Sequence, residues 1–408
     1  MDTYKNSDPR PPIMEGSPPP LEWRVPMIDW DRAPWNRWAF QHIREILPTG
    51  PVAAAGTPSA LPEALEPLEA IAFEAPHGPT TIAKWIDDDY TDGLLIMLDG
   101  KIIHESYWNG MTRRSVHLCQ SVSKSITATT ASTLFDEGLL DPHAPVTDAL
   151  PELAETAWKG ATLRQIMDMA SGVKYDESDY FNRASDVGKT DVAAGWKPIP
   201  EGYENEDWPH CIHDQIMTLT ERDAAHGERF EYRSIETDVL AHAMERVTGK
   251  RLPELVSERL WQPLGAETEA CFTLDQSGYA LACGGFNASL RDLARFGLAY
   301  LNDGQVNGRQ VIPKAWVEDV RSGDHGLFND YGREHFPMGR YRNQFWIEDA
   351  NKQGHYCLGI FGQIVYVSPE RGMVAVKLST WPEATNNDHH DACVAAFHAI
   401  ARAFGRDA

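Results

Sequence analysis

The chain has 408 residues, enough for a sizeable core arranged as two or three domains or one large composite. Apolar residues make up 42% of it and thirteen are Trp, which excludes disorder for most of its length. A formal charge of -23 argues against nucleic acid and anionic membrane as partners, since no basic patch could dominate that field, and mildly favours cationic substrates.

The first 23 residues are Pro-rich and lack the apolar run of a secretory signal. No window is long and apolar enough to span a bilayer, and no membrane partner is expected. Cys119, Cys211, Cys271, Cys283, Cys357 and Cys393 show no paired spacing and read as reduced, mostly buried thiols, which makes a cytoplasmic location the expectation. The segment "EWRVPMIDWDRAPWNRWAFQHIREIL" supplies four Trp and a Phe to clamp the arm onto the body, and offers a surface for a homodimer. The Pro/Ala-rich "PTGPVAAAGTPSALPEALEP" follows as a linker or wrap-around loop, so residues 1–65 form an arm and linker.

"GLLIMLDGKIIHESYWNG" predicts a hairpin turning at Asp99-Gly100. Helical spacing follows over about 121–138, in "TLRQIMDMA", in "SIETDVLAHAMERVTGK" and in "SLRDLARFGLAYLND". "GIFGQIVYVSPERGMVAVKLST" predicts a second hairpin turning between Pro369 and Gly372, and "DHHDACVAAFHAIARAF" a final helix. Strands at both ends with helices between them predict an α/β fold. An antiparallel sheet flanked by helices is drawn from 66–111 and 291–408, and a mostly helical region from 112–290.

Ser121 and Lys124 stand three residues apart at the front of a predicted helix, which puts their side chains on one face about 5 to 6 Å apart at Cβ. The helix N-terminus favours developing negative charge at Ser121. A lysine acts as a base only if burial or a neighbouring cation lowers its pKa from about 10.4, and a dry pocket supplies that. Ser171 and Lys174 share the spacing, but Gly172 stops the preceding helix there, so Ser171 reads as turn chemistry. Tyr232 and Ser234 precede a clear helix; Tyr232 reads equally as a core aromatic, and Ser234 as an N-cap with Glu236 and Asp238 in the first turn. The His/Asp clusters around His210–Asp214 and Asp388–Asp391 lack recognised zinc spacings, so no metal is expected. No G-x-S-x-G elbow is present for a Ser-His-Asp hydrolase.

Ser121-x-x-Lys124, Tyr232-x-Ser234 and "GIFGQ" (359–363), in that order, resemble the penicillin-recognising serine hydrolases: class C β-lactamases, D-Ala-D-Ala peptidases and related esterases and amidases. The similarity runs from about residue 90 to the C-terminus. It is closest to the 6-aminohexanoate-dimer hydrolases, through "LDPHAPVTDALPELAETAWKGATLRQIMDM", the "YDESDYFN…AAGW" loop, "GGFNASLRDLARFG" and "VKLSTWP".

The resemblance implies a β-lactamase-like fold that works without a cofactor on a small-molecule amide or ester. It implies Ser121 as nucleophile, Lys124 as its base and Tyr232 as the second acid/base, with an oxyanion hole formed by the Ser121 and Ile360 amides. It also implies substrate contacts from Tyr180, Asp191 (for an ammonium), Trp196 and Trp346, with Cys283 where amide-hydrolysing relatives can have His or Asn. Ile360-Phe361-Gly362 replaces the Lys-Thr-Gly of the penicillin-active groups, which argues against penicillin turnover. A short-chain carboxylesterase, an acyltransferase and a non-catalytic binding module are the alternatives on this scaffold.

Overall fold

A computed structural model describes residues 3–328, 332–333 and 336–406; residues 1, 2, 329–331, 334, 335, 407 and 408, parts of the expected arm and α/β region, lie outside the described residues. The two hairpins form where the sequence predicts them. Seven strands, numbered in chain order, make the main sheet: β1 (Thr91–Leu98), β2 (Lys101–Tyr107), β3 (Arg340–Arg342), β4 (Phe345–Ile347), β5 (His355–Gly359), β6 (Gln363–Ser368) and β7 (Met373–Ser379). Their order is β3-β4-β5-β6-β7-β1-β2, antiparallel throughout, so the N-terminal hairpin docks on the edge of the C-terminal meander. Asp99 and Gly100 both take positive φ, as the two-residue turn requires.

Both faces of the sheet are covered, and this explains why β1 and β7 are buried along their whole length instead of at alternate positions. The two sets of side chains still part by period two. Leu94, Ile96, Met373 and Ala375 pack with Cys393, Ala396, Phe397 and Ile400 of the C-terminal helix Asn387–Ala403. Leu95, Met97, Val374 and Val376 pack with Leu290, Leu293, Ala294 and Phe296 of the helix Leu290–Leu301.

A second, four-stranded antiparallel sheet that local patterning does not reveal joins the predicted linker to the predicted helical region. It is made of Thr49–Val52, Ala270–Thr273, Phe286–Ala288 and His117–Leu118. Its short last strand runs directly into Ser121. Helices α1 (Val122–Asp136), α2 (Asp186–Ala193) and α3 (Ile235–Thr248) lie in this region. No helix among the described residues is long and apolar enough to cross a membrane. All six cysteines are unpaired and buried.

The aromatic segment does clamp inward. Trp30 and Trp38 are buried, and Trp30 Nε1 donates to the Trp196 carbonyl at 2.8 Å. Arg37 anchors the arm by charge. Its Nη1 bonds Asp92 Oδ1 at 2.8 Å with both side chains fully buried, while Thr380 Oγ1 donates to Asp92 Oδ2 at 2.9 Å and His117 Nε2 lies 3.2 Å from that oxygen. One carboxylate thus joins arm, β1, the end of β7 and the strand before Ser121. Asp92→Ala leaves the guanidinium buried and unpaired, and should lower the unfolding free energy by about 3 to 5 kcal/mol in a urea titration.

Candidate active site

Ser121 directly precedes α1, and Gln120 before it holds a φ of +49°, a conformation side chains seldom adopt. The strained step turns the chain from the strand into the helix and leaves Ser121 at the wall of a cleft of about 690 Å³. Helix α1 is buried nearly all round despite its Ser and Thr content. Those hydroxyls are satisfied locally: Ser123 donates to Gln120 O and accepts from Phe286 N, Ser125 donates to Gln344 O, and Thr129 and Thr130 donate to carbonyls one turn back.

Lys124 is 1% exposed. Its Nζ donates to Ser121 Oγ at 2.8 Å and to the Cys283 carbonyl at 2.9 Å, and lies 5.0 Å from the centre of the Tyr232 ring. Tyr232 stacks on Trp346, with ring centres 5.6 Å apart. Asp238 of α3 fixes the Cys283 segment by accepting the Ala282 and Cys283 amides at 2.8 and 3.3 Å.

Burial is the strongest influence on Lys124 and pulls its pKa down. Tyr232, Cys283 and Glu177, when ionised, pull it up, and the net direction is up. This differs from the sequence-based expectation that burial alone leaves the amine neutral. Burial raises Tyr232 and lifts the Cys283 thiol well above its usual value, so near neutral pH both keep their protons and withhold their attraction from Lys124. The titration therefore belongs to Ser121, Lys124 and Tyr232 as a group.

Strand β5 ends at Gly359, and Ile360 follows on the cleft wall. A Cβ on Gly359 would lie 2.5 Å from the Cys119 carbonyl, so only glycine lets this strand end run against the turn that carries Ser121. Gln363 knits the next turn: its Nε2 donates to Phe361 O at 3.1 Å and Ser379 O at 2.7 Å, and its Oε1 accepts Ser379 N–H at 3.2 Å. Among the described residues no backbone bond outside the helices and strands takes the Ser121 or Ile360 N–H.

Tyr180 and Trp346 line the cleft with Ser121, Tyr232 and Ile360. Cys283 contributes its carbonyl, while its thiol faces Asp238. Asp191 and Trp196 are not among the lining residues. Asp191 is 3.4 Å from Lys197, which bonds Asp31 of the arm at 2.7 Å; burial raises Asp191 to about 6 against the pull of Lys197. Trp196 is buried, with its Nε1 donating to Thr273 Oγ1 at 3.0 Å.

Sequence reasoning missed Glu177. This carboxylate lines the cleft and accepts both the amide and the hydroxyl of Ser234; an acid three residues before Tyr180 in the quoted loop is the only signal, and spacing does not show where it points. Ser234 heads α3 but makes no side-chain cap bond. Glu236 and Asp238 do fall in the first turn of α3; both are fully buried there, and burial raises them to about 8 and about 7. Ser171 Oγ donates to Glu236 at 2.7 Å, whereas Lys174 is exposed and paired with Glu221, so the second Ser/Lys spacing is not a pair in space. Asn386 caps the last helix through the His389 amide, and His389 bonds Asp89. No group of three or more His, Cys, Asp or Glu among the described residues is arranged to hold a metal.

A buried amine facing a hydroxyl at a helix start, on an antiparallel sheet backed by helices, defines a serine hydrolase of the β-lactamase type. Residues 90–399 match the Beta-lactamase family model, and the chain belongs to that family. It is 36% identical over 369 residues to the 6-aminohexanoate-dimer hydrolase of Paenarthrobacter ureafaciens, covering 90% of this chain and 91% of that one. A solved structure from Bacillus anthracis, described provisionally as a 6-aminohexanoate-dimer hydrolase, superposes with a TM-score of 0.86 at 29% identity, covering 95% and 98% of the two chains. EstCE1, a hydrolase with promiscuous acyltransferase activity, shares the fold with a TM-score of 0.59 at 17% identity over 77% and 98%.

Gly359→Ala should push β5 away from Cys119 and misplace the Ile360 amide. The expected result is a fall in kcat of about 10²-fold, the usual effect of a displacement of about 1 Å beside a reacting centre, with a smaller change in KM, measured by steady-state kinetics.

Proposed function

We propose that this enzyme hydrolyses linear carboxamides and carboxylic esters through an acyl-enzyme on Ser121, as a 6-aminohexanoate-dimer hydrolase does. The observation that carries the reading is the 2.8 Å bond from a fully buried Lys124 to Ser121 Oγ, with Tyr232 over the amine. The active form has one proton fewer than the fully protonated group, which leaves one base and one acid. Lys124 takes the Ser121 proton as Oγ attacks the carbonyl carbon. The Ser121 and Ile360 N–H groups face the developing oxyanion. As the bond to the leaving nitrogen or oxygen breaks, Tyr232 supplies its proton. Water then attacks the ester, giving one proton back to the network, and the acid leaves.

The walls favour a neutral or cationic substrate. Among the described lining residues there is no Lys or Arg, while Glu177, Asp388 and Asp391 carry acid and Phe336, Trp346, Leu358 and Trp381 provide apolar surface. A substrate carboxylate finds no cation at Ile360. Asp191 shares Lys197 with Asp31, and the Arg32 and Arg183 guanidiniums act on the same cluster, so the attraction for a substrate ammonium comes from the acids that line the cleft. Self-association through the arm rests on exposed Leu21 and Met27, since Trp30 and Trp38 are turned inward.

In a panel of 6-aminohexanoate dimer, p-nitrophenyl esters and a cephalosporin, the first two should turn over and the last should not. Ser121→Ala and Lys124→Ala should each lower turnover by at least about 10³-fold. Mass spectrometry of the quenched enzyme should place the acyl adduct on Ser121. Ser171→Ala should keep turnover while losing about 1 to 3 kcal/mol of stability, because Glu236 loses its hydrogen-bond donor.

A further inference from the structure

The loop ahead of α2 carries Glu177 across to the head of α3. Glu177 Oε2 accepts the Ser234 N–H at 2.6 Å and Oε1 accepts the Ser234 hydroxyl at 2.5 Å. Ser234 lies two residues past Tyr232. The same carboxylate is hydrogen-bonded by Tyr180, so one group ties the loop tyrosine to the turn that presents Tyr232. Burial raises Glu177, and Lys124 is the foremost influence opposing it.

We infer that Glu177 is a positioning residue for the hydrolysis: its carboxylate clamps the Ser234 turn, holding Tyr232 over Lys124, and its charge biases where the shared proton resides. The inference rests on Ser121, Lys124 and Tyr232 being the reacting set. Two donors from one residue meeting one carboxylate fix direction as well as distance. A displacement of about 1 Å in a reacting group costs roughly 10²-fold in rate.

The electrostatic half has a definite sign. The titratable groups facing Lys124 are Tyr232, Cys283, Glu177 and Asp238. Lys124, Glu177 and Tyr341 face Tyr232, and Tyr175 and Tyr180 face Glu177. Burial pushes Cys283, Tyr175 and Tyr341 far up, which leaves Glu177 and Asp238 as the acids of the group. An anion here stabilises the ammonium of Lys124 and disfavours a phenolate at Tyr232, raising both pKa values. Removing it must lower both.

The test compares Glu177→Gln, Glu177→Asp, Ser234→Ala and Ser121→Ala in the full chain, with kcat and KM taken across pH on an acyl p-nitroanilide and the matching p-nitrophenyl ester. Glu177→Gln should lower kcat on the anilide by about 10- to 10²-fold with KM within about 3-fold, and shift both limbs of the pH profile to lower pH. The ester should suffer less, because p-nitrophenolate leaves without a proton from Tyr232. Ser234→Ala should lower kcat with the limbs unmoved, and Glu177→Asp, which keeps the charge, should hold them near their original positions.

Unmoved limbs in Glu177→Gln, or equal losses on anilide and ester, overturn the inference. If Glu177→Gln does not fold, limbs displaced in Glu177→Asp as far as in no other variant overturn it instead. Turnover surviving Ser121→Ala sinks the parent reading, whatever Glu177 does.

Discussion

Everything at this site depends on how the Lys124 amine is held. A buried ammonium is costly unless it is paired, and the usual solution is a carboxylate in direct contact. The chain uses that solution elsewhere: Lys377, equally buried, bonds Asp89 at 2.6 Å, and Lys197 bonds Asp31 at 2.7 Å. Lys124 instead has the hydroxyls of Ser121 and Tyr232 and a backbone carbonyl as its hydrogen-bond partners. Its acids stand one residue removed, Asp238 behind the Cys283 segment and Glu177 beyond Tyr232. Direct pairing would lock the proton on nitrogen, and the proposed exchange with Ser121 and Tyr232 requires that no carboxylate touch the amine.

The surrounding fold has to deliver three chain segments to one point, and each is fixed by a different force. A backbone ladder brings Ser121: the Cys119 amide bonds Phe286 O at 2.8 Å, registering the turn against the second sheet. Steric fit brings Ile360, because Gly359 lets β5 touch Cys119. Aromatic packing brings Tyr232, which lies flat on Trp346 while Tyr341 meets its edge at 6.1 Å. Asp92 then links the arm, β1, the end of β7 and His117, so the turn that carries Ser121 shares a buried polar anchor with the sheet. Loosening any one segment leaves the other two in place without a complete site.

Local signals carried much of this. The Asp99-Gly100 and Pro369–Gly372 turns, the periodic helices and the Ser121/Lys124 spacing are encoded over a few residues, where backbone geometry is decided. The parts that were hidden depend on long-range partners. Thr49–Val52 becomes a strand only by pairing with Ala270–Thr273, more than two hundred positions away. Glu236 and Asp238 are in the first turn of α3 as their spacing indicates, but the sequence does not show that this turn is buried, where one binds Ser171 and the other the loop over Lys124. Asp191 reads as a free carboxylate until the arm folds back and Asp31 joins it at Lys197. Composition shows many acids but not which of them meet a base.

That distinction governs selectivity in the cleft. A β-lactamase-type scaffold with a cation at the strand end beside its serine attracts a substrate carboxylate; here Ile360, just past the end of β5, stands there and the walls carry acid, so the same scaffold disfavours that group. Exclusion of this kind acts before chemistry, since a carboxylate entering the cleft loses water and meets no Lys or Arg among the described lining residues. A neutral acyl chain loses nothing against Trp346, Phe336 and Leu358, and a distant ammonium gains from the field of the acids. Selection by field tolerates variation in chain length and leaving atom, because no single contact has to be met. Such a cleft suits flexible linear amides and esters better than rigid bicyclic ones, and the rigid parts of recognition are confined to the few ångströms around Ser121 where the carbonyl must be aligned.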